Sequence, residues 1–160
     1  MSDVKIIKVK SRLAELAFRG GLTAKEAIAR AETALEATHP SSRASIDRLL
    51  VELDAVFATS PVEHERAYGL TTQIIDLAYC LPDSLIEHAA RALCDLIDIS
   101  VEVGTWDQEA VSLHLQALKV LRHSGQDFGR PQRTKLIDGL HQVTRKRIAD
   151  RNQLADERAG

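Results

Sequence analysis

A chain of 160 residues that is 44% hydrophobic and 28% charged has the length and composition to build one core and is not compositionally disordered. Only 4% of its residues are aromatic, which argues against an all-β sandwich or barrel and for one helical domain over 1–160. A net charge of −2 argues against a general nucleic-acid binder, and the cysteines, Cys80 and Cys94, show neither metal-ligand spacing nor a disulfide framework.

The chain opens on a segment read as two helices, 4–18 and 24–38, which form an N-terminal hairpin over 1–40. Gly20-Gly21 separates them, and Thr23-Ala24-Lys25-Glu26 starts the second as a capping box. Four helices follow at 42–58, 61–80, 83–102 and 106–123, with Ser60-Pro61-Val62-Glu63 and Thr105-Trp106-Asp107-Gln108 as further boxes and Gly104 and Gly125 as stops. Ile46, Leu49, Leu50, Leu53, Val56 and Phe57 recur at helical spacing. Leu85, Ala89, Ala92, Leu93, Leu96 and Ile97 do the same, as do Val111, Leu115, Leu118 and Leu121. Short connectors between helices of this length fit an antiparallel four-helix bundle over 41–124. The last helix, 131–156, is basic and belongs to a C-terminal segment, 125–160. That segment has eight basic residues against five acidic and the middle segment thirteen acidic against six basic, so the helix is expected to lie on the acidic middle or on an acidic partner.

No phosphate loop, nucleophile elbow or metal-binding His-Glu-x-x-His helix is present, so neither a cofactor nor a metal is expected and the chain is not read as an enzyme. Nothing resembles a signal peptide or a membrane span, and the expected compartment is the cytoplasm.

The helix at 61–80 carries two stripes. Ala67, Leu70, Ile74, Leu77 and Leu81 make a core stripe, and on the far side stand Tyr68, Thr72, Ile75 and Tyr79, flanked by His64, Glu65, Thr71 and Asp76. Both tyrosines of the chain lie there, as aromatic anchors do at interfaces. The alternatives are that another helix covers this face or that it is a homodimer seam. His64, Tyr68, Thr71, Thr72, Ile75 and Tyr79 are the candidate partner-binding residues.

The stretch Ala67-Tyr68-Gly69-Leu70-Thr71-Thr72, with Leu77-Ala78 and then Ser84-Leu85-Ile86-Glu87-His88-Ala89-Ala90-Arg91-Ala92-Leu93-Cys94-Asp95-Leu96, resembles histidine-containing phosphotransfer (HPt) domains over about residues 42–123. That family is a four-helix bundle with a helix reading Ala-His-x-Leu-Lys-Gly, and Leu70 and Leu77 match its buried leucines. The phosphoacceptor position is Tyr68 here, and Thr71 and Thr72 stand for the Lys and Gly. The resemblance therefore implies a bundle that cannot accept phosphate but keeps a docking face. The implied partner is a response-regulator receiver domain or a histidine kinase, with no nucleic acid and no membrane. Val9-Lys10-Ser11-Arg12-Leu13-Ala14-Glu15-Leu16 and Leu93-Cys94-Asp95-Leu96-Ile97-Asp98 are similar, more faintly, to short chemotaxis-associated proteins of the CheE type.

His88-Ala89-Ala90-Arg91-Ala92 repeats the HPt arrangement on the next helix, with Arg for Lys and Ala for Gly, and makes His88 the alternative phosphoacceptor. The plainer reading of His88 is a half-buried boundary histidine capped by a neighbouring carboxylate such as Asp95 or Glu87. His114 reads as a surface or boundary residue, and Trp106 as a packing anchor at the end of the bundle.

Overall fold

The computed structural model describes residues 21–81, 84–124 and 128–159, with side chains to residue 153. The helix expected at 4–18, the CheE-like stretch at 9–16, Gly20 and Gly125 lie outside the described residues. The fold is all-α. Five helices and no strand occur among the described residues: α1 (Ala24–Phe57), α2 (His64–Ala78), α3 (Ile86–Val103), α4 (Gln108–His123) and α5 (Arg130–Ala159). The chain divides into two compact units, Met1–Ala37 and Thr38–Gly160.

In the first unit the capping box forms as its residues dictate. The Thr23 amide donates to the Glu26 carboxylate at 2.8 Å and the Glu26 amide donates to the Thr23 hydroxyl at 3.3 Å. The expected stop before residue 40 does not occur, and α1 carries Pro40 inside one continuous helix. A proline removes one amide donor from the ladder. The strong helix formers of residues 24–37 and the amphipathic run of 42–57 sustain the helix on either side of that gap.

The second unit holds the core. Ile46, Leu50 and Leu53 of α1, Ala67, Leu70 and Ile74 of α2, and Val111, Leu115 and Leu118 of α4 turn their stripes into one cluster. From α3 the buried set is wider than one stripe. Ala89, Ala90, Ala92, Leu93, Cys94, Leu96, Ile97 and Ile99 are all buried, because α3 packs against α2, α4 and α5 at once. The basic helix α5 adds Ile137 and Leu140 to the same cluster and is part of the bundle core as well as an extension of it.

Ion pairs fix the helix directions. Asp47 meets Arg122 at 2.5 Å and Asp54 meets Lys119 at 2.5 Å, so α1 runs antiparallel to α4. Asp107 pairs with Arg147, and the His114 imidazole lies 3.3 Å from the Thr144 hydroxyl, so α4 and α5 are antiparallel too. With Arg151 on Glu102 at 2.6 Å, the basic helix lies on the acidic middle of the chain, as its charge implied.

Two helix starts differ from their sequence signals. α2 begins at His64, after a cis Ser60–Pro61 bond, and Glu63 caps without its side chain, which turns to Arg66 at 3.6 Å. α4 begins at Gln108, where Asp107 accepts the Ala110 amide at 3.0 Å in place of the expected Thr105. Gly104 closes α3 at φ 69°, a left-handed position where glycine costs nothing. No described helix is long and apolar enough to cross a membrane.

Candidate functional site

The candidate residues lie along the seam between α2 and α3. Taken from Ala67 at about 100° per residue, Thr71 stands at about 40° and Ile75 at about 80°, whereas Tyr68, Tyr79 and Thr72 stand at about 100° to 140°. The core arc of α2 extends far enough to take in the first two. Thr71 is fully buried, its hydroxyl donating to the Ala67 carbonyl at 2.8 Å, and Ile75 is 9% exposed. Both were expected on the open face and belong to the buried one. Tyr68, Thr72 and Tyr79 remain open, with Tyr79 66% and Tyr68 40% exposed. The second stripe is therefore an edge beside the core, partly overlaid by α3.

His64 is half-buried and stacks on Trp106, ring centroids 5.0 Å apart, while Phe57 packs tilted against the same indole at 5.7 Å. Its role in the fold is to hold Trp106 as the anchor of this end of the bundle.

At the other end of the seam α3 supplies a polar cluster. Arg91 donates to the Tyr79 hydroxyl at 2.5 Å, and its guanidinium carbon lies 5.8 Å from the centre of the ring. Glu87 holds both Arg91 and His88, whose Nδ1 is 2.9 Å from the carboxylate. Glu87 first and Tyr79 second raise the Arg91 pKa, keeping it charged. His88 is exposed, as the alternative reading required and not half-buried as the plainer one had it, because it points away from the buried side of α3. The carboxylate that holds it is Glu87, as the plainer reading expected.

Between these ends the seam is acidic. Asp98 is pushed up from the ordinary carboxylate range by desolvation and by its neighbours Asp95 and Glu102. Asp98 in turn, followed by Cys94, raises the Tyr68 phenol. Burial pushes the Cys94 thiol up to about 11, against a lowering by the Thr72 hydroxyl, so this thiol is a packing group. A hollow of about 280 Å³ opens between His64, Tyr68, Ile97 and Val101. Among the described residues no three His, Cys, Asp or Glu side chains converge as a metal site.

No family model, curated protein or solved structure matches this chain. What the seam does has to be read from its own residues.

Two features escaped sequence reasoning. The Glu87–Arg91–Tyr79 cluster had a partial signal, since Glu87 and Arg91 are four apart on one helix, but Tyr79 joins from another element. His114, read as a surface or boundary residue, is fully buried between α4 and α5, with Nδ1 2.8 Å from the Ala110 carbonyl. Its polar neighbour Thr144 lies thirty residues away, so the local sequence carried no sign of it.

Proposed function

We propose that this chain is a non-enzymatic, HPt-like adaptor of two-component or chemotaxis signalling, acting in the cytoplasm. It docks a response-regulator receiver domain or a histidine kinase on the α2–α3 seam without accepting phosphate. The observation that carries this reading is the exposure of both tyrosines, Tyr68 on α2 at 40% and Tyr79 at its C-terminal cap at 66%. Exposed aromatic side chains beside an apolar hollow are the usual anchors of a protein interface. At the HPt phosphoacceptor position Tyr68 offers a phenol in place of an imidazole, and the buried Thr71 brings no cation to steady a phosphoryl group.

Calorimetric titration with a cognate receiver domain tests this reading. Tyr68→Arg and Tyr79→Glu each weaken binding by about tenfold or more, and Lys146→Gln, on an exposed part of α5, does not. Unchanged binding in both tyrosine variants refutes the adaptor. A second reading, phosphotransfer through His88, is favoured by the exposure of that imidazole one helical turn from Arg91. Incubation with a phosphorylated receiver separates the two, because only phosphotransfer produces an acid-labile phosphoprotein that His88→Gln abolishes. A homodimer seam would bury both tyrosines and is detected by sedimentation equilibrium.

A further inference from the structure

The hollow at Tyr68 does not end there. A second hollow, about 320 Å³ and lined by Val62, Gly104 and Trp106, shares His64 and Val101 with the first. Together they form a trough along the α2–α3 seam. Its apolar lining runs from Trp106 and Val62, just beyond the ends of α3 and α2, through Val101 to Tyr68, with the buried Ile97 at its floor. Val101 is 53% exposed, an apolar side chain on the outer face of the most buried helix of the fold. An apolar groove of this kind seats a helix through residues three, four and seven apart.

The rim of this trough is acidic. Glu65 on α2 and Asp98 on α3 line it, and Asp95 and Glu102 stand about one turn to either side of Asp98, Asp95 near enough to act on the Tyr68 phenol. Arg151 answers Glu102, but no ion pair forms at Glu65, Asp95 or Asp98 among the described residues. The nearby cations are engaged elsewhere, Arg66 on Glu63 and Arg91 on Glu87. Three unanswered carboxylates around an apolar trough repel one another and gain when a cation approaches. They also disfavour an acidic or wholly apolar occupant.

We propose that this trough binds a cationic amphipathic helix of a partner protein, its apolar side chains seated between Tyr68 and Val101 and its Lys or Arg side chains on Glu65, Asp95 and Asp98. The inference rests on the seam being a docking face and names the chemistry of the part that docks.

The test uses the full chain and two synthetic amphipathic helices of about five turns, one Leu/Lys and one Leu/Glu with the same Leu pattern. In calorimetric titrations the Leu/Lys peptide binds saturably and the Leu/Glu peptide does not. The Asp95→Asn/Asp98→Asn double variant weakens binding about fivefold or more and flattens its salt dependence. Val101→Lys abolishes it. Asp95, Asp98 and Val101 are exposed, and circular dichroism verifies that each variant is folded. Asp138→Asn, an exposed carboxylate on α5, leaves binding unchanged. The inference is overturned when the Leu/Lys peptide does not bind, or when it binds the double variant and Asp138→Asn with the wild-type affinity. A receiver domain that binds in a Tyr79-dependent way, with no peptide binding, overturns this inference alone. Peptide binding without receiver or kinase binding leaves the trough assignment standing and refutes the signalling adaptor.

Discussion

The imidazole of His114 lies wholly inside the bundle, within 2.8 Å of the Ala110 carbonyl oxygen and 3.3 Å of the Thr144 hydroxyl. A protonated Nδ1 suits that carbonyl acceptor and leaves Nε2 unprotonated, where it competes with the Leu140 carbonyl for the single Thr144 hydroxyl proton. Burial lowers the His114 pKa from 6.5, His141 on α5 adds to the fall, and the Ala110 carbonyl, Asp107 and Asp95 oppose it. The folded chain therefore refuses a proton that the unfolded chain takes. The stability contributed by neutral His114 is complete above the unfolded pKa and is lost as the pH falls below it toward the lowered folded value. Urea denaturation followed from about pH 8 down to about pH 5 shows a falling midpoint in the wild type. His114→Leu shows a smaller fall, and Thr144 stays satisfied in it through its 3.2 Å bond to the Leu140 carbonyl. An equal fall in both proteins refutes the assignment to His114.

Among the elements, α1 shows how local signals compete. The Thr23–Glu26 box was legible because both of its partners lie within one turn. The box at Ser60–Glu63 did not form because α2 starts at His64, which puts Glu63 at the cap itself and not three residues inside, and the one at Thr105 failed because Asp107 is a stronger cap two residues on. The break expected between 38 and 42 is absent, and Pro40 lies inside α1, close to the division of the chain into two units at Ala37 and Thr38. The Ser41 hydroxyl donates to the Thr38 carbonyl at 2.8 Å, a local bond within the turn that contains the proline. Restoring the missing amide has a definite sign. Pro40→Ala raises helical ellipticity and stabilises the chain against urea by about 1 to 3 kcal/mol. A loss of helix in that variant shows that the proline is needed where it stands.

At the scale of the whole molecule, α3 decides the energetics, since it meets α2, α4 and α5. Leu93 is completely buried at its centre, and Leu93→Ala costs about 2 to 5 kcal/mol by removing apolar contacts and leaving a cavity. Against a total stability of about 5 to 15 kcal/mol, that is a large share. The Asp54–Lys119 pair joins α1 to α4 at 2.5 Å but is nearly half exposed, so Asp54→Asn costs no more than about 1 kcal/mol. Urea titrations of both variants check the contrast, and comparable losses contradict it. The sequence by itself determined the all-helical class and most of the core, because each helix writes its buried stripe in its own spacing of three and four. It also determined that both tyrosines share one side of α2. Only the tertiary structure decided that Thr71 and Ile75 are closed while Tyr68, Thr72 and Tyr79 are open, and that His114 is buried beside Thr144. Helical periodicity orders side chains around their own axis, but how wide an arc is covered depends on where neighbouring helices lie. That is set by the packing of residues far apart in the chain.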